Sequence, residues 1–342
     1  MPRSEIPRAD RRIPDVAVPL LEDGPVGEWI PDVLEGCARM TLPLGHDEEG
    51  PVSATLVRFD GHPAEPDRAP VLHLHGWSDY FYNRPLAEAF ARAGRGFYAL
   101  DLRKYGRSLR PWQTPGYIDD LSRYDAELEA ACAVIRSELP DAPPPIVHGH
   151  STGGLIAALW AQRHPRDSSA LVLNSPWLEF PGDVPARTAV EGLLAPLGHL
   201  NPRRPLRVPR VDRYWQSLSD QAQGEWSLHP AWRPRRSFRM NAGWMRAVLN
   251  GHRQVYEGLT VEVPILVLLS AQTTYSRRWN EQLQESDSVL DVELLARRAV
   301  KLGSTVTVVR VPQAMHDVFS SPRPVRSAAF DAVQRWLQAY GP

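Results

Sequence analysis

Short apolar runs recur along the chain, each closed by glycine, proline or a polar cluster. Residues 71–75, 97–102, 146–148, 170–173, 261–269 and 305–311 read as buried strands, too short for helices and rich in Val, Ile and Leu. Between them the apolar period changes to that of a helix. Residues 85–93 have helical spacing. Residues 118–139 put Leu121, Tyr124, Leu128, Ala131, Cys132 and Ile135 on one face. Residues 324–340 do the same with Val325, Ala328, Ala329, Val333, Trp336 and Leu337. Near the start, residues 37–44 and 53–59 read as a pair of strands, with turn chemistry at Gly45-His46-Asp47-Glu48-Glu49-Gly50-Pro51. Strands alternating with helices predict an α/β fold, a mostly parallel central sheet flanked by helices on both faces.

The rhythm breaks between Phe180 and Thr260. This interval carries Trp215, Trp226, Trp232 and Trp244, several prolines and many arginines. Its helical stretches, 189–197, 213–221 and 241–250, are short and irregular. It reads as a cap inserted between two core strands, giving a core of residues 29–180 and 261–342 and a cap of 181–260. The cap tryptophans either shape an apolar pocket or pack the cap onto the core. Arg203, Arg204, Arg207, Arg210, Arg235 and Arg236 read as a solvated face, with carboxylate binding by one of them as the alternative. Residues 1–28 are rich in Pro and Arg without a period and read as an N-terminal arm.

Composition narrows the function classes. Lys+Arg 39 against Asp+Glu 40 gives a net charge of −1 over 342 residues. There is no basic footprint for nucleic acid and no acidic tail. No apolar run approaches the roughly 18 residues of a membrane span, and the N-terminus lacks the apolar stretch of a secretory signal. Cys37 and Cys132 are the two cysteines. They lie in strand-like and helical runs and read as buried free thiols, so a reducing, cytoplasmic location is expected.

The stretch from Pro145 to Gly154, Pro-Ile-Val-His-Gly-His-Ser-Thr-Gly-Gly, carries the chemistry. A G-x-S-x-G at Gly149–Gly153 stands between a predicted strand and a predicted helix. That is the context of a nucleophile elbow, with Ser151 on the strained turn. Gly149 and Gly153 allow strand and helix to approach, and the helix N-terminus favours negative charge beside the serine. A serine hydroxyl needs a base oriented by a carboxylate. His316 follows the last predicted strand, at the end of the sheet where such sites lie. His148, His150, His164 and His252 are weaker candidates. The acid should follow residues 264–269, but residues 270–276 contain no carboxylate. Asp287, displaced by an insertion, is the preferred acid. Asp291 reads as the N-cap of a helix over 292–302, and Glu179 and Asp183 are rivals. The N–H groups of Thr152 and Trp77 are the expected oxyanion donors, with Gly76 letting the backbone turn in and His75 bracing the loop. Metal-ligand spacings are absent, so neither a metal nor an organic cofactor is expected.

The run Asp101-Leu102-Arg103-Lys104-Tyr105-Gly106-Arg107-Ser108 makes a resemblance specific. Together with His75-Gly76 and Gly149-His150-Ser151-Thr152-Gly153, it resembles the α/β-hydrolase superfamily. Within that superfamily it is similar to the monoacylglycerol-lipase and lysophospholipase group, also called serine-aminopeptidase-like. The resemblance covers about residues 35–180 and 260–340. It implies Ser151 as nucleophile, His316 as base, Asp287 as acid, and the amides of Trp77 and Thr152 as oxyanion hole. Two departures stand out: Lys104 replaces a glycine of the family's Asp-Arg-Gly-x-Gly-x-Ser pattern, and an insertion precedes Asp287. The expected activity is hydrolysis of a small, partly apolar carboxylic ester of carboxylesterase or monoacylglycerol-lipase type through an acyl-enzyme. No nucleic-acid partner and no stable membrane insertion are expected. The same triad could serve an aminopeptidase, a thioesterase or a carbon–carbon hydrolase, and a catalytically silent binding protein is a further alternative. A serine at the elbow, where some relatives use aspartate or cysteine, argues against dehalogenase and epoxide-hydrolase chemistry.

Overall fold

Apolar strands stacked in register order the molecule. A computed structural model describes residues 21, 24–180, 200–208 and 212–342. The strands are β1 (Ile30–Pro31), β2 (Cys37–Asp47), β3 (Gly50–Phe59), β4 (Val71–Leu74), β5 (Phe97–Asp101), β6 (Ile146–His150), β7 (Ala170–Asn174), β8 (Ile265–Ser270) and β9 (Val306–Val311). They form one sheet in the order β1-β2-β3-β5-β4-β6-β7-β8-β9. The first three strands and the β3–β5 pairing are antiparallel, and every pairing from β5 to β9 is parallel. Strands β4 to β8 are buried on both faces, which is why they read as continuous apolar runs.

Helices cover both faces. Among the described residues these are α1 (Arg84–Arg92), α2 (Asp125–Glu138), α3 (Thr152–Arg163), α4 (Arg213–Leu218), α5 (Ala242–Glu257), α6 (Val292–Ala299) and α7 (Arg323–Tyr340). One apolar cluster joins Leu128, Leu155 and Trp244 to Leu72, Leu171 and Val267. The other joins Phe90 and Trp336 to Val71, Val172 and Leu268, which occupy the opposite pleat.

Several expected boundaries shift for local reasons. The hairpin is tighter than its turn residues suggest, because β2 runs on to Asp47 through a bulge between Pro43 and His46. The long helix expected from residue 118 begins as α2 at Asp125, after a 3-10 turn over Leu121–Tyr124 that Asp120 caps. Its six apolar positions are nonetheless all buried. Strand β8 starts at Ile265, since Val261 makes only an isolated bridge to Gly303. The helix after Asp291 stops at Ala299, and α5 runs seven residues beyond the expected end at 250. In α7 Ala328 faces solvent; Ala329, Val333, Trp336 and Leu337 carry the buried face, with Phe330 packed beside them. The expected helix 189–197 lies outside the described residues, as does most of the N-terminal arm. Where that arm is described, the Gly24 N–H donates to Thr41 Oγ1 at 3.1 Å and Val26 bridges Thr41, so it lies along β2.

Cys37 and Cys132 are free and buried, and burial pushes both thiols up to about 12. Neither is poised to react as a thiolate.

The sheet centre holds a buried histidine pair. His73 on β4 and His148 on β6 are register partners, with their Nδ1 atoms 2.7 Å apart. Burial drives His73 well below its ordinary value, helped by His148. Burial also takes His148 from 6.5 down to about 3, against the pull of Asp317. Both rings are therefore neutral, one donating to the other, and His148 is a core residue rather than a catalyst. Between its ordinary value and about 3 the unfolded chain binds protons that the folded chain does not, so stability falls as pH falls through that window. We expect the urea midpoint to drop between about pH 7 and about pH 5, and to drop less in a His73→Leu/His148→Leu variant. Equal losses in the two proteins would show that the pair is not the source.

Candidate active site

The parallel strands end together on one edge, and the candidate side chains stand there. Ser151 links β6 to α3 at φ 52° and ψ −116°, a conformation that a β-to-helix reversal demands and that costs a non-glycine residue about 1–3 kcal/mol. The small residues around it are obligatory. A Cβ on Gly149 would stand 2.6 Å from the Gly153 carbonyl oxygen, and one on Gly153 would stand 2.6 Å from that of Leu74. A Cβ on Gly154 would meet Pro176 Cβ at 2.7 Å. The turn is tied down from both sides: Ser151 N–H donates to the Asn174 carbonyl at 3.0 Å, and the Trp177 N–H donates to the Ser151 carbonyl at 2.9 Å.

His316 comes from the loop after β9. Its Nε2 is 3.1 Å from Ser151 Oγ and its Nδ1 is 2.8 Å from Asp287 Oδ2, with the histidine 3% exposed and the aspartate fully buried. The three side chains that the sequence singled out are thus in one hydrogen-bonded line.

The insertion before Asp287 has a structural answer. After β8 the chain leaves the sheet, makes a 3-10 turn over Glu281–Gln284 and returns. Asp287 then lies beside Thr273, with its N–H bound to the Gln272 carbonyl and its own carbonyl accepting from Thr274 N–H, each at 3.0 Å. The carboxylate is therefore held at the exit of β8, although it is remote in sequence. Its Oδ1 accepts from the N–H groups of Val289 and Leu290, both at 2.8 Å. That leaves Oδ2 for the histidine. The rival acids do other work: Asp291 caps α6, Glu179 pairs with Arg298 at 2.7 Å, and Asp183 lies outside the described residues.

Gly76 sits against Ser151, since a Cβ there would be 3.1 Å from Ser151 Cβ. The next residue, Trp77, is brought to the same place. Its indole packs on Trp244, with ring centroids 3.8 Å apart, so one residue both enters the core and offers its backbone to the site. Thr152 opens α3. Among the described residues, neither the Trp77 nor the Thr152 backbone N–H has an acceptor in the protein. His75 braces the loop as expected. Its Nε2 accepts from Leu102 N–H at 3.1 Å, so Nδ1 carries the proton and donates to the Gly76 carbonyl at 2.8 Å. The weaker histidine candidates make other contacts. His252 binds the Trp177 carbonyl, His164 binds Asp125 at the end of α3, and the His150 ring lies 4.9 Å from that of His316.

The Asp101–Ser108 run is a scaffold for this loop. Asp101 accepts from Phe81 N–H, Arg107 N–H and Arg107 Nη1, and Ser108 Oγ donates to the Asp101 carbonyl. Lys104, in the place of a glycine, has φ 63°, which explains why glycine suits the position. Here the buried lysine is retained by two ion pairs to half-buried carboxylates, Asp47 at 2.5 Å and Glu49 at 2.6 Å.

Sequence reasoning missed the groups behind His316. Asp317 is buried and accepts from Asn174 Nδ2, Phe319 N–H and Ser320 Oγ, while its N–H donates to Tyr214 Oη. Burial raises its pKa, but His150, these hydrogen bonds and Arg233 outweigh that and hold it below the ordinary carboxylate value. Arg233, far along the chain, forms a buried ion pair with Asp79, two residues after Trp77. Phe238 N–H donates to Ser78 Oγ and His229 N–H to Tyr80 Oη, so residues 229–238 clasp the loop that carries Trp77. No local pattern announces such pairs. The buried Asp-Arg contact joins positions 154 apart.

Ser151, His316, Trp77 and Thr152 open into a cavity of about 830 Å³. Trp177, Phe180, Leu206, Trp215, Phe238 and Met245 supply much of its apolar wall. The four tryptophans between Phe180 and Thr260 divide between the two expected roles. Trp215 lines the cavity, whereas Trp226 and Trp232 pack with Tyr80 and Tyr82, and Trp244 lies under Trp77. Among the described residues no group of His, Cys, Asp and Glu is arranged to hold a metal ion, and no helix is long and apolar enough to cross a membrane.

A mostly parallel sheet with a serine on the turn between its central strand and the following helix defines an α/β-hydrolase. The family model for serine aminopeptidase, S33 matches residues 65–322, and the chain belongs to that family. A monoacylglycerol lipase of Mycolicibacterium smegmatis is 26% identical over 277 residues, 80% of this chain and 89% of the relative. A mouse (lyso)-N-acylphosphatidylethanolamine lipase is 30% identical over 152 residues, 43% of each chain. Among solved structures, the monoacylglycerol lipase of Paleococcus ferrophilus superposes with a TM-score of 0.60 at 20% identity, over 89% of this chain and 99% of the other. A soluble variant of the Saccharomyces cerevisiae monoglyceride lipase, solved with a substrate analogue, gives 0.63 at 13% identity over 93% and 97%. These structures share the fold.

Proposed function

We propose that the protein is a serine hydrolase that cleaves carboxylic esters of monoacylglycerol-lipase or carboxylesterase type through an acyl-enzyme. The observation that carries this reading is the line Ser151 Oγ, His316 Nε2, His316 Nδ1, Asp287 Oδ2 at the floor of a largely apolar cavity. Ser151 Oγ attacks the ester carbonyl while His316 Nε2 takes its proton. The oxyanion that forms is met by the N–H groups of Trp77 and Thr152 and by the N-terminus of α3. Asp287 keeps the Nδ1 proton in place and stabilises the imidazolium. His316 then protonates the leaving alcohol, the acyl group stays on Ser151, and water activated by the same histidine releases the acid.

The lining disfavours the aminopeptidase alternative. Among the described residues one carboxylate lines the cavity, Asp79, and Arg233 already neutralises it. An α-ammonium group would find no free acid there among the described residues. In the same reading residues 181–260 form the cap over the site and residues 29–180 and 261–342 the core. A cytoplasmic location accords with the two buried free thiols.

The test is reaction of the purified protein with a fluorophosphonate probe, alongside turnover of 4-nitrophenyl esters of graded chain length. Stoichiometric labelling, lost in Ser151→Ala, with turnover that rises with acyl length up to the capacity of the cavity, is expected. A folded protein that neither labels nor turns over any ester would replace this reading with the silent binding protein.

A further inference from the structure

The chain is nearly neutral overall, yet its cavity is not. Arg204, Arg207, Arg233, Arg235 and Arg239 line it, against Asp79 as the sole carboxylate among the described lining residues. Two of these arginines are committed. Arg233 is buried against Asp79, and Arg235 binds Asp212 at 2.7 Å with its guanidinium over Trp215. The other three are exposed and have no ion pair among the described residues.

They belong to one rim. Leu206 N–H donates to the Met240 carbonyl at 2.8 Å and Ala242 N–H to the Arg204 carbonyl at 3.0 Å, so the segments bearing Arg204, Arg207 and Arg239 are hydrogen-bonded side by side. Between the arginines, Leu206 and Met240 are cavity wall. Apolar wall and guanidinium groups without an ion pair among the described residues thus alternate along the same two segments. A collar of one charge sign around a low-dielectric cleft focuses the field and concentrates ligands of opposite charge. Guanidinium groups also match carboxylate and phosphate oxygens in geometry.

We propose that the site prefers amphiphilic esters that carry one anionic group, carboxylate or phosphate, held by Arg204, Arg207 and Arg239 at the rim while the apolar chain fills the cavity. This rests on the hydrolase reading above and adds a substrate class to it. A neutral ester should still be cleaved, with a higher KM, because the rim acts on the end of the molecule away from the scissile carbonyl.

Matched pairs test this, each used as monomers below its micelle concentration. One pair is 4-nitrophenyl octanoate and the mono-4-nitrophenyl ester of octanedioic acid, which places the charge on the acyl side. The other is 1-octanoylglycerol and its 3-phosphate, which places it on the alcohol side. We expect at least one anionic member to show a KM roughly tenfold below its neutral partner, as a few screened charge contacts allow. The ratio should fall towards one in Arg207→Gln/Arg239→Gln and in about 1 M salt, where the screening length is about 3 Å. Arg236→Gln, exposed but off the cavity, should keep the ratio. Equal KM values in both pairs overturn the proposal. So does a preference that survives both salt and the double substitution, or one that appears only on anionic vesicles, which would mean surface docking. Binding of octyl phosphate against octanol, followed calorimetrically, reads the rim without chemistry. Tighter octyl phosphate binding with no ester turnover would keep the rim and discard the hydrolase reading, and equal binding beside active turnover would do the reverse.

Discussion

Asp287→Asn is expected to lower kcat for ester hydrolysis by about 10⁴-fold with KM little changed, a loss of about 5.5 kcal/mol of transition-state stabilisation. The hydrogen bonds around the carboxylate supply the reason. The N–H groups of Val289 and Leu290 both point at Oδ1, so an asparagine places its carbonyl oxygen there and its amide nitrogen towards His316. That nitrogen donates. It forces His316 to accept at Nδ1 and carry its proton on Nε2, where it can no longer take the proton of Ser151. The folded structure should be kept, since both loop hydrogen bonds survive. Ser151→Ala sets the floor, at a loss of roughly 10⁴- to 10⁶-fold, and adding it to Asp287→Asn should cost little more because the residues act as one unit. Steady-state kinetics on the two single variants and the double variant check this. Near-normal turnover in Asp287→Asn would remove it from the acid's role, and Glu179 and Asp183 would return as candidates.

Arg233→Met should have the largest effect on stability. The guanidinium is buried against Asp79 and lies over the rings of Tyr82 and Tyr214, 5.3 and 5.6 Å from their centroids. Methionine keeps part of the packing but leaves a carboxylate buried without its cation. Breaking a buried pair from one side costs about 3–5 kcal/mol. Asp79→Asn/Arg233→Met should regain much of that, because no unpaired charge remains. The damage should also reach catalysis, as Asp79 stands two residues after Trp77 and the clasp of residues 229–238 holds that loop. Denaturant unfolding of the single and double variants, read with kcat, checks both parts. A single variant as stable as wild type would show that the pair contributes nothing net.

The elements that were legible are those governed by neighbours in the chain. The elbow at Ser151 follows from the space its glycines leave, and Asp291 caps α6 because a helix start needs a short acceptor. Strands β4 to β8 announced themselves because both their faces are buried. The apolar face of α2 was also plain, although its first turn was not, since a 3-10 turn and a helix share much of their period. Asp287 was readable only as a displaced candidate for the acid. Nothing in residues 270–287 states that Asp287 returns to pair with Thr273.

By itself the sequence determined the order of strands and helices, the strained serine, the histidine after the last strand and the two buried thiols, because each depends on local sterics or on apolar period. Tertiary structure alone decided how the long insertion closes to bring Asp287 to His316, which arginine neutralises Asp79, that His73 and His148 hydrogen-bond to each other, and that the segments bearing Arg204, Arg207 and Arg239 run side by side. Those contacts join residues far apart in the chain, and their energy depends on burial and distance, which a linear pattern does not contain.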